Sequence, residues 1–296
     1  MSGPACPTET EARSDLANQM SENETAYPVS FDGTSVAQAN LLPPLKWAGG
    51  KRWLIPALRA LWRPHSQRRL VEPFVGGMAV ALALQPQQAL LNDINPHLIN
   101  FYLWLQRGLT VGIQMANEGE LYYRYRQRFN DLIHRGDDNT QEAAELFYYL
   151  NRTGYNGLCR FNRQGGFNVP FGRYRTIRYV HDFHRYAPIL SKWEFTCTDF
   201  AQIPASPDDW IYADPPYDVE FTSYSAGGFS WGDQVRLAEW LAAHPGPVVA
   251  SNQATARIQG LYGDLGFQLR LVDGPRRISC TGDRAPAQEI LATRGI

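Results

Sequence analysis

Two short apolar runs, each followed by a helical pattern, constrain this chain more than any other feature. The first, Leu70-Val71-Glu72-Pro73-Phe74-Val75, runs into Gly76-Gly77, and residues 78–84 then read as a helix. The second, Ala89-Leu90-Leu91, ends at Asn92-Asp93. There Asn95-Pro96 opens a helix through Leu98, Phe101, Tyr102 and Leu105 at about helical spacing. Strand, helix, strand, helix in that order needs crossovers, which implies an α/β fold with a parallel, doubly wound, Rossmann-like sheet. The pattern resumes downstream with strands at 193–197, 210–213, 247–251, 267–272 and 289–292 and a helix at 233–243.

Between the two halves the character changes. Residues 107–188 carry helical, Arg- and Tyr-rich segments at 121–133 and 142–150, then a glycine-rich stretch, 151–174. This reads as a mainly helical insertion devoted to recognition. The expected organisation is therefore an acidic disordered leader (1–38), a first catalytic part (39–106), the insertion (107–188) and a second catalytic part (189–296). The amino terminus lacks a charged-then-apolar signal and no run reaches the roughly 18 apolar residues of a membrane span, so a cytoplasmic protein is expected, without a membrane partner. Cys6, Cys159, Cys197 and Cys280 are scattered without a Cys-x-x-Cys pair, so reduced thiols are expected and no metal site.

A net charge of −1 gives no hint of a polyanionic partner, but the average conceals an asymmetry. Residues 151–185 hold Arg152, Arg160, Arg163, Arg173, Arg175, Arg178 and Arg185 against Asp182 alone, interleaved with Tyr and Phe. A local excess of that kind suits a surface that tracks phosphates.

The chemistry concentrates at the carboxyl ends of the strands, where open α/β sheets bind ligands. After Trp210-Ile211-Tyr212-Ala213, the tetrad Asp214-Pro215-Pro216-Tyr217 ends the strand at once, since neither proline can donate to a ladder. One carboxylate, fixed carbonyls and an aromatic face remain, a set suited to holding a flat exocyclic amine while its nitrogen attacks an electrophile. At the first strand, Gly76 and Gly77 let backbone approach a ligand closely. Asp93, about 20 residues on, can accept both hydroxyls of a ribose. The turn Phe74-Val75-Gly76-Gly77-Met78 is not Gly-x-Gly-x-x-Gly, so a small adenosine cofactor without a pyrophosphate fits better than a dinucleotide. Upstream, Lys46-Trp47-Ala48-Gly49-Gly50-Lys51 joins two lysines and an indole through a flexible turn.

In that order these segments resemble the D12 class of DNA adenine-N6 methyltransferases, and most closely their DNA adenine methylase branch. The resemblance spans about residues 41–295. Its most specific parts are Asn151-Arg152-Thr153-Gly154-Tyr155-Asn156-Gly157-Leu158-Cys159-Arg160 and Phe167-Asn168-Val169-Pro170-Phe171-Gly172-Arg173-Tyr174. It implies S-adenosylmethionine as methyl donor and adenine N6 in duplex DNA at GATC as acceptor; no metal and a monomer in solution are expected, and restriction–modification, repair and phage defence all stay open as settings. Carried over by motif, Asp214, Pro215, Pro216 and Tyr217 are the catalytic set. Trp47, Lys51, Glu72, Pro73, Phe74, Gly76, Asp93, Asp199 and Phe200 bind the cofactor. Lys46, Arg152, Tyr155, Asn156, Leu158, Arg160, Asn162, Pro170 and Tyr174 fall in DNA-reading segments, with Arg160 on guanine. Two departures stand out. Met78 occupies a place where such turns often carry glycine, and the acidic leader has no counterpart. A loop at 276–282 is similar to one near the DNA.

The resemblance implies that Asp214 and the Pro215 carbonyl accept the two amine hydrogens while Tyr217 stacks on an extruded adenine. Transfer is then direct, with no role for a cysteine nucleophile. Competing readings are an RNA methyltransferase, a DNA-binding protein that keeps the fold without activity, and a nucleotide-dependent oxidoreductase.

Overall fold

The computed structural model describes residues 41–218, 228–274 and 287–296. The leader at 1–38 and the loop at 276–282 lie outside the described residues. Seven strands form one sheet in the order β3-β2-β1-β4-β5-β7-β6. They are β1 Leu70–Glu72, β2 Ala89–Asn92, β3 Trp193–Thr196, β4 Trp210–Ala213, β5 Val248–Gln253, β6 Gln268–Gly274 and β7 Ala287–Arg294. The five strands β1 to β5 run parallel. The last two form an antiparallel pair, and β7 inserts antiparallel between β5 and β6. The doubly wound class expected from the sequence holds. The antiparallel end does not follow from alternating apolar runs, because direction is set by the connection and not by the strand's own pattern.

The helices are α1 Ile55–Trp62, α2 Ala79–Leu84, α3 Pro96–Gln106, α4 Gly119–Arg135, α5 Gln141–Thr153, α6 Ala187–Leu190, α7 Trp231–Ala243 and α8 Ala256–Asp264. β1, β2, β4 and β5 are buried on both faces, with their few polar side chains at the carboxyl ends. Ile211, Ala213, Val248 and Ala250 bury against Leu237 and Leu241 of α7 and Ile258 and Tyr262 of α8. On the opposite face Trp210 meets Trp62 of α1 edge to face at 5.2 Å. α3 then serves two layers. Its Tyr102 packs on Phe195 of β3 at 5.6 Å, and its Phe101 stacks on Tyr148 of α5 at 5.7 Å. An aromatic core of Phe101, Phe129, Phe147, Tyr148 and Phe183 thus fastens the segment between β2 and β3 to the sheet domain.

Local signals explain the boundaries. Asn95 caps α3, its Oδ1 accepting from the His97 and Leu98 N–H groups, with Pro96 at the first position. Ser230 and Asp233 form a reciprocal capping box that starts α7 two residues before the expected 233. β1 stops at Glu72, three residues short of the apolar run, because Pro73 cannot extend the ladder. α1 and α8 were not among the expected elements. Both are short, eight and nine residues, and helical spacing is hard to tell from other patterns over so few positions. No helix among the described residues is long and apolar enough to cross a membrane.

Candidate active site and nucleic-acid interface

Asp214 follows the last residue of β4, and its partners come from three other places in the chain. Lys51 Nζ lies 3.0 Å from its Oδ1, and Ser251 Oγ donates to the same oxygen at 2.9 Å. Lys51 is only 4 % exposed, so its charge needs this carboxylate. The ammonium also donates to the Gly49 carbonyl, lies 3.9 Å from Glu289 Oε2 and sits 4.5 Å over the Tyr217 ring. Both of these contacts on Asp214 fall on Oδ1, and among the described residues no group donates to Oδ2. The two prolines divide in the same way. The Pro216 carbonyl accepts from Gln234 Nε2 at 2.8 Å, whereas no described group donates to that of Pro215. The Tyr217 hydroxyl donates to Glu289 Oε2. Burial first, then the Asp214 and Glu289 charges, push the Tyr217 phenol well above its ordinary value, so it stays neutral.

The glycine turn sits directly under Trp47. A Cβ on Gly76 would fall 2.7 Å from Trp47 Nε1, and one on Gly77 would fall 2.8 Å from Trp47 Cβ. Gly76 also takes φ +44°, a left-handed conformation that glycine adopts without penalty. Its N–H donates to Asp93 Oδ2 at 3.1 Å, and its carbonyl accepts from the Tyr102 hydroxyl at 2.5 Å. Met78 is left-handed at φ 60°, preceding α2, with its side chain fully buried. Packing of that side chain offsets the backbone cost, of order 1–2 kcal/mol for a residue with a Cβ.

Three carboxylates line this cradle. Glu72 is 2 % exposed, and its Oε1 has no hydrogen-bond partner. Burial, reinforced by the Asp214 charge, raises its pKa well above the ordinary carboxylate range. Burial pushes Asp93 up to about 6 against the lowering effect of N–H donors from Asn95 and Gly76. A small cationic ligand with donors toward Glu72 and hydroxyls toward Asp93 complements the site. Phe74 and Phe200 border it as a tilted pair at 5.7 Å. Asp199 is paired with Arg236 through both oxygens, at 2.7 and 2.9 Å, which lowers its pKa. Pro73 is anchored from behind, its carbonyl accepting from buried Asn92 at 3.0 Å.

The arginine-rich segment meets this site through Lys46. Lys46 Nζ lies 3.4 Å from the centre of the Tyr174 ring and donates to the Arg152 carbonyl. Asn151 grips the Lys46 backbone twice: its Oδ1 accepts from the Lys46 N–H at 2.9 Å and its Nδ2 donates to the Lys46 carbonyl at 2.8 Å. Gly157, at φ +62°, is pressed against the same residue, where a Cβ would come within 2.3 Å of Lys46 Cβ. Arg160 is oriented by Asn168, with Nε donating to Oδ1 at 2.8 Å. Tyr155 is exposed, and its N–H donates to the Pro170 carbonyl. Asn156 takes a left-handed turn at φ 53° and Leu158 is half-buried. Asn162 turns inward, its Oδ1 accepting from the N–H groups of Gln164 and Gly166 to close its own loop. Arg163, Arg173, Arg175, Arg178 and Arg185 are exposed. Cys159 accepts from Asn95 Nδ2, and burial pushes its thiol up to about 12, so it is inert at neutral pH. Among the described residues no cluster of side chains could hold a metal ion.

The structure therefore brings together Asp214, Tyr217 and Lys51, then Trp47 with Gly76 and Asp93, and separately Lys46 with Arg152 and Tyr174. Sequence reading missed Ser251, Gln234, Asn252, Glu289, Asn92 and Asn151, all of which hold the named residues in place. Ser251-Asn252 had a signal, a polar pair at the carboxyl end of an apolar strand. Glu289 had none, because only the antiparallel insertion of β7 brings it near the site.

Acidic groups at the ends of parallel strands, beside an Asp-Pro-Pro-Tyr turn, suit group transfer better than the binding of a dinucleotide. Residues 47–277 match the model of the D12 class N6 adenine-specific DNA methyltransferases. The chain belongs to that family. It is 38 % identical to the DNA adenine methylase of Vibrio cholerae over 84 % of this chain and 94 % of that one. The Retron Ec67 DNA adenine methylase of Escherichia coli is 35 % identical over 85 % of this chain and 90 % of that one. A DNA N-6-adenine-methyltransferase of Escherichia phage P1 is 38 % identical over 83 % of this chain and 34 % of its own length.

Proposed function

We propose that this protein transfers a methyl group from S-adenosylmethionine to adenine N6 within GATC in duplex DNA, acting on an adenine turned out of the helix. The observation that carries the reading is the division of acceptors at the catalytic turn. Asp214 Oδ1 is taken by Lys51 and Ser251 and the Pro216 carbonyl by Gln234, so among the described residues Asp214 Oδ2 and the Pro215 carbonyl remain for an amine with two hydrogens.

The chemistry needs such a pair. The N6 lone pair is delocalised into the ring, which makes the free amine a poor nucleophile. Two acceptors placed on its two hydrogens draw the nitrogen toward tetrahedral geometry and fix the lone pair's direction, an effect of positioning and electrostatic preorganisation. Tyr217 gives the extruded base a neutral aromatic face, and extrusion costs a few kcal/mol that such contacts offset. When bound, the cofactor supplies a methyl group on a positively charged sulfur. Trp47 and the Gly76 turn would hold it, with Glu72 Oε1 facing its cationic part and Asp93 its ribose. Phe74 and Phe200 would flank the adenine ring. The orphaned oxygen of Glu72 and the acidic lining fit that ligand.

Residues 107–188 supply the DNA-reading surface in this scheme. Arg160 reads guanine, with Lys46, Leu158, Pro170 and Tyr174 beside it and the exposed arginines on phosphates. An RNA acceptor is the competing outcome.

The test is methyl transfer from labelled S-adenosylmethionine to short duplexes containing GATC, with each position altered in turn. Transfer confined to GATC is expected. Asp214→Ala should lose at least about 100-fold in turnover, as loss of a preorganised transition-state contact does, while duplex binding persists. Transfer to structured RNA but not to duplex DNA would overturn the reading.

A further inference from the structure

We propose that Ser251 and Asn252, adjacent on β5, together with Gln234 on α7, are positioning residues that brace the catalytic turn from both faces of the sheet. The proposal rests on the reading of Asp214 and the Pro215 carbonyl as the amine's acceptors, and it says what makes those two groups, and not their neighbours, the ones available.

Ser251, Asn252 and Gln234 are each fully buried. Buried polar side chains in the middle of a packed layer are costly unless satisfied, so their presence at this point calls for a reason. Successive residues of a strand face opposite sides. Val248 and Ala250 face α7 and α8, so Asn252 shares that side and Ser251 takes the other. The parallel register Ala213↔Ala250 carries forward to set Ser251 beside Asp214.

The two sides give two relays. On one, the hydroxyls of Tyr212 and Ser251 are 3.0 Å apart, and Ser251 Oγ donates to Asp214 Oδ1 at 2.9 Å. With Lys51 on the same oxygen, the carboxylate can rotate neither way without losing a contact, and Oδ2 is held outward. On the other, Asn252 Nδ2 donates to Gln234 Oε1 at 2.9 Å, and Gln234 Nε2 donates to the Pro216 carbonyl at 2.8 Å. That bond fixes the peptide after Pro216, and with it the direction of the Pro215 carbonyl one residue earlier. Neither relay contains an ionised group of its own, so the brace works by geometry and leaves the charge at the turn to Lys51 and Asp214.

Ser251→Ala, Ser251→Thr and Gln234→Met test the proposal beside Asp214→Ala. The readouts are the single-turnover rate of methyl transfer, the dissociation constants of S-adenosylmethionine and of a GATC duplex, and the melting temperature. Ser251→Ala and Gln234→Met should each slow transfer about ten- to a hundredfold, as small misplacements of reacting groups do. Both dissociation constants should stay within about twofold, and Ser251→Thr should recover most of the rate by restoring the hydroxyl. If both variants turn over at the parental rate while Asp214→Ala is inactive, the brace is refuted and the reading of the turn stands. If rate falls only in step with melting temperature and weakened binding, or threonine rescues nothing, the residues are merely structural and the proposal fails. Turnover by Asp214→Ala itself removes the underlying reading.

Discussion

Replacing Gly76 by alanine tests the cofactor cradle most directly, because the structure fixes both parts of the cost. The backbone part comes from φ +44°, where a residue with a Cβ is disfavoured by about 1–2 kcal/mol. The steric part comes from the new methyl, which would lie 2.7 Å from Trp47 Nε1 and 3.0 Å from Trp47 Cδ1. Both atoms belong to a rigid ring, so the indole must swing away as a body. In a protein of this size the backbone part alone should lower the melting temperature by roughly 2–8 °C. Displacing Trp47 and disturbing the Gly76 N–H bond to Asp93 should weaken S-adenosylmethionine by about tenfold or more, equivalent to 1.4 kcal/mol or above. Calorimetric titration with the cofactor and a thermal melt of Gly76→Ala measure the two parts separately. The double variant Trp47→Ala/Gly76→Ala isolates the clash, since contacting residues couple and the backbone term does not depend on the indole. Added to Trp47→Ala, Gly76→Ala should then cost stability but little further affinity. Unchanged affinity in the single variant, or an identical affinity loss with and without Trp47, would refute the reasoning.

Three further outcomes follow from the geometry. Asp93 must be ionised to accept two ribose hydroxyls, so cofactor affinity should fall up to tenfold per pH unit below about 6, and Asp93→Asn should flatten that dependence. The same raised pKa acts oppositely on stability: the folded protein holds this proton more tightly than the unfolded chain, so this carboxyl's contribution grows as pH falls from about 6 toward 4. Arg160→Ala should lose about 1–3 kcal/mol of discrimination at the guanine, measured as relative transfer to altered duplexes. Asn168→Ala should lose part of the same quantity by freeing the guanidinium, and a uniform weakening on all duplexes would make Arg160 a phosphate contact. Asn151→Ala strands the Lys46 N–H and carbonyl and should cost about 1–3 kcal/mol, visible as a lower melting temperature.

The sequence carried the parts of the fold whose cause is local. The ends of the runs before Asp93 and Asp214 marked two strand ends, while the first run, expected through Val75, stops at Glu72; Asn95-Pro96 marked a helix start that the structure reproduces to the residue. It also carried Asp93 and Asp214, which follow the last residues of β2 and β4. What it did not carry depends on partners distant in the chain. The position of β7 between β5 and β6 is a matter of connection, and with it comes Glu289 beside Tyr217. The inward turn of Asn162 depends on a loop closure with Gly166 that a motif does not encode. Met78 was visible as an oddity, but its left-handed backbone and the burial that holds it there become clear only from the packing.

The grip of Asn151 and Gly157 on Lys46 bears on how such a protein could be given a new target sequence. The arginine-rich segment looks like a module to be exchanged whole between β2 and β3. Yet Lys46 lies outside it, ahead of β1, and is clasped by its backbone and covered by the Tyr174 ring. Its chain neighbour Trp47 rests on Gly76 and Gly77, and Lys51 ends the same short stretch at Asp214. A chimera that imports a foreign segment while keeping the resident Lys46 stretch therefore inherits a mismatched seam, and the misfit passes directly to the Gly76 turn and to Asp214. Retargeting requires the two stretches to travel as a pair.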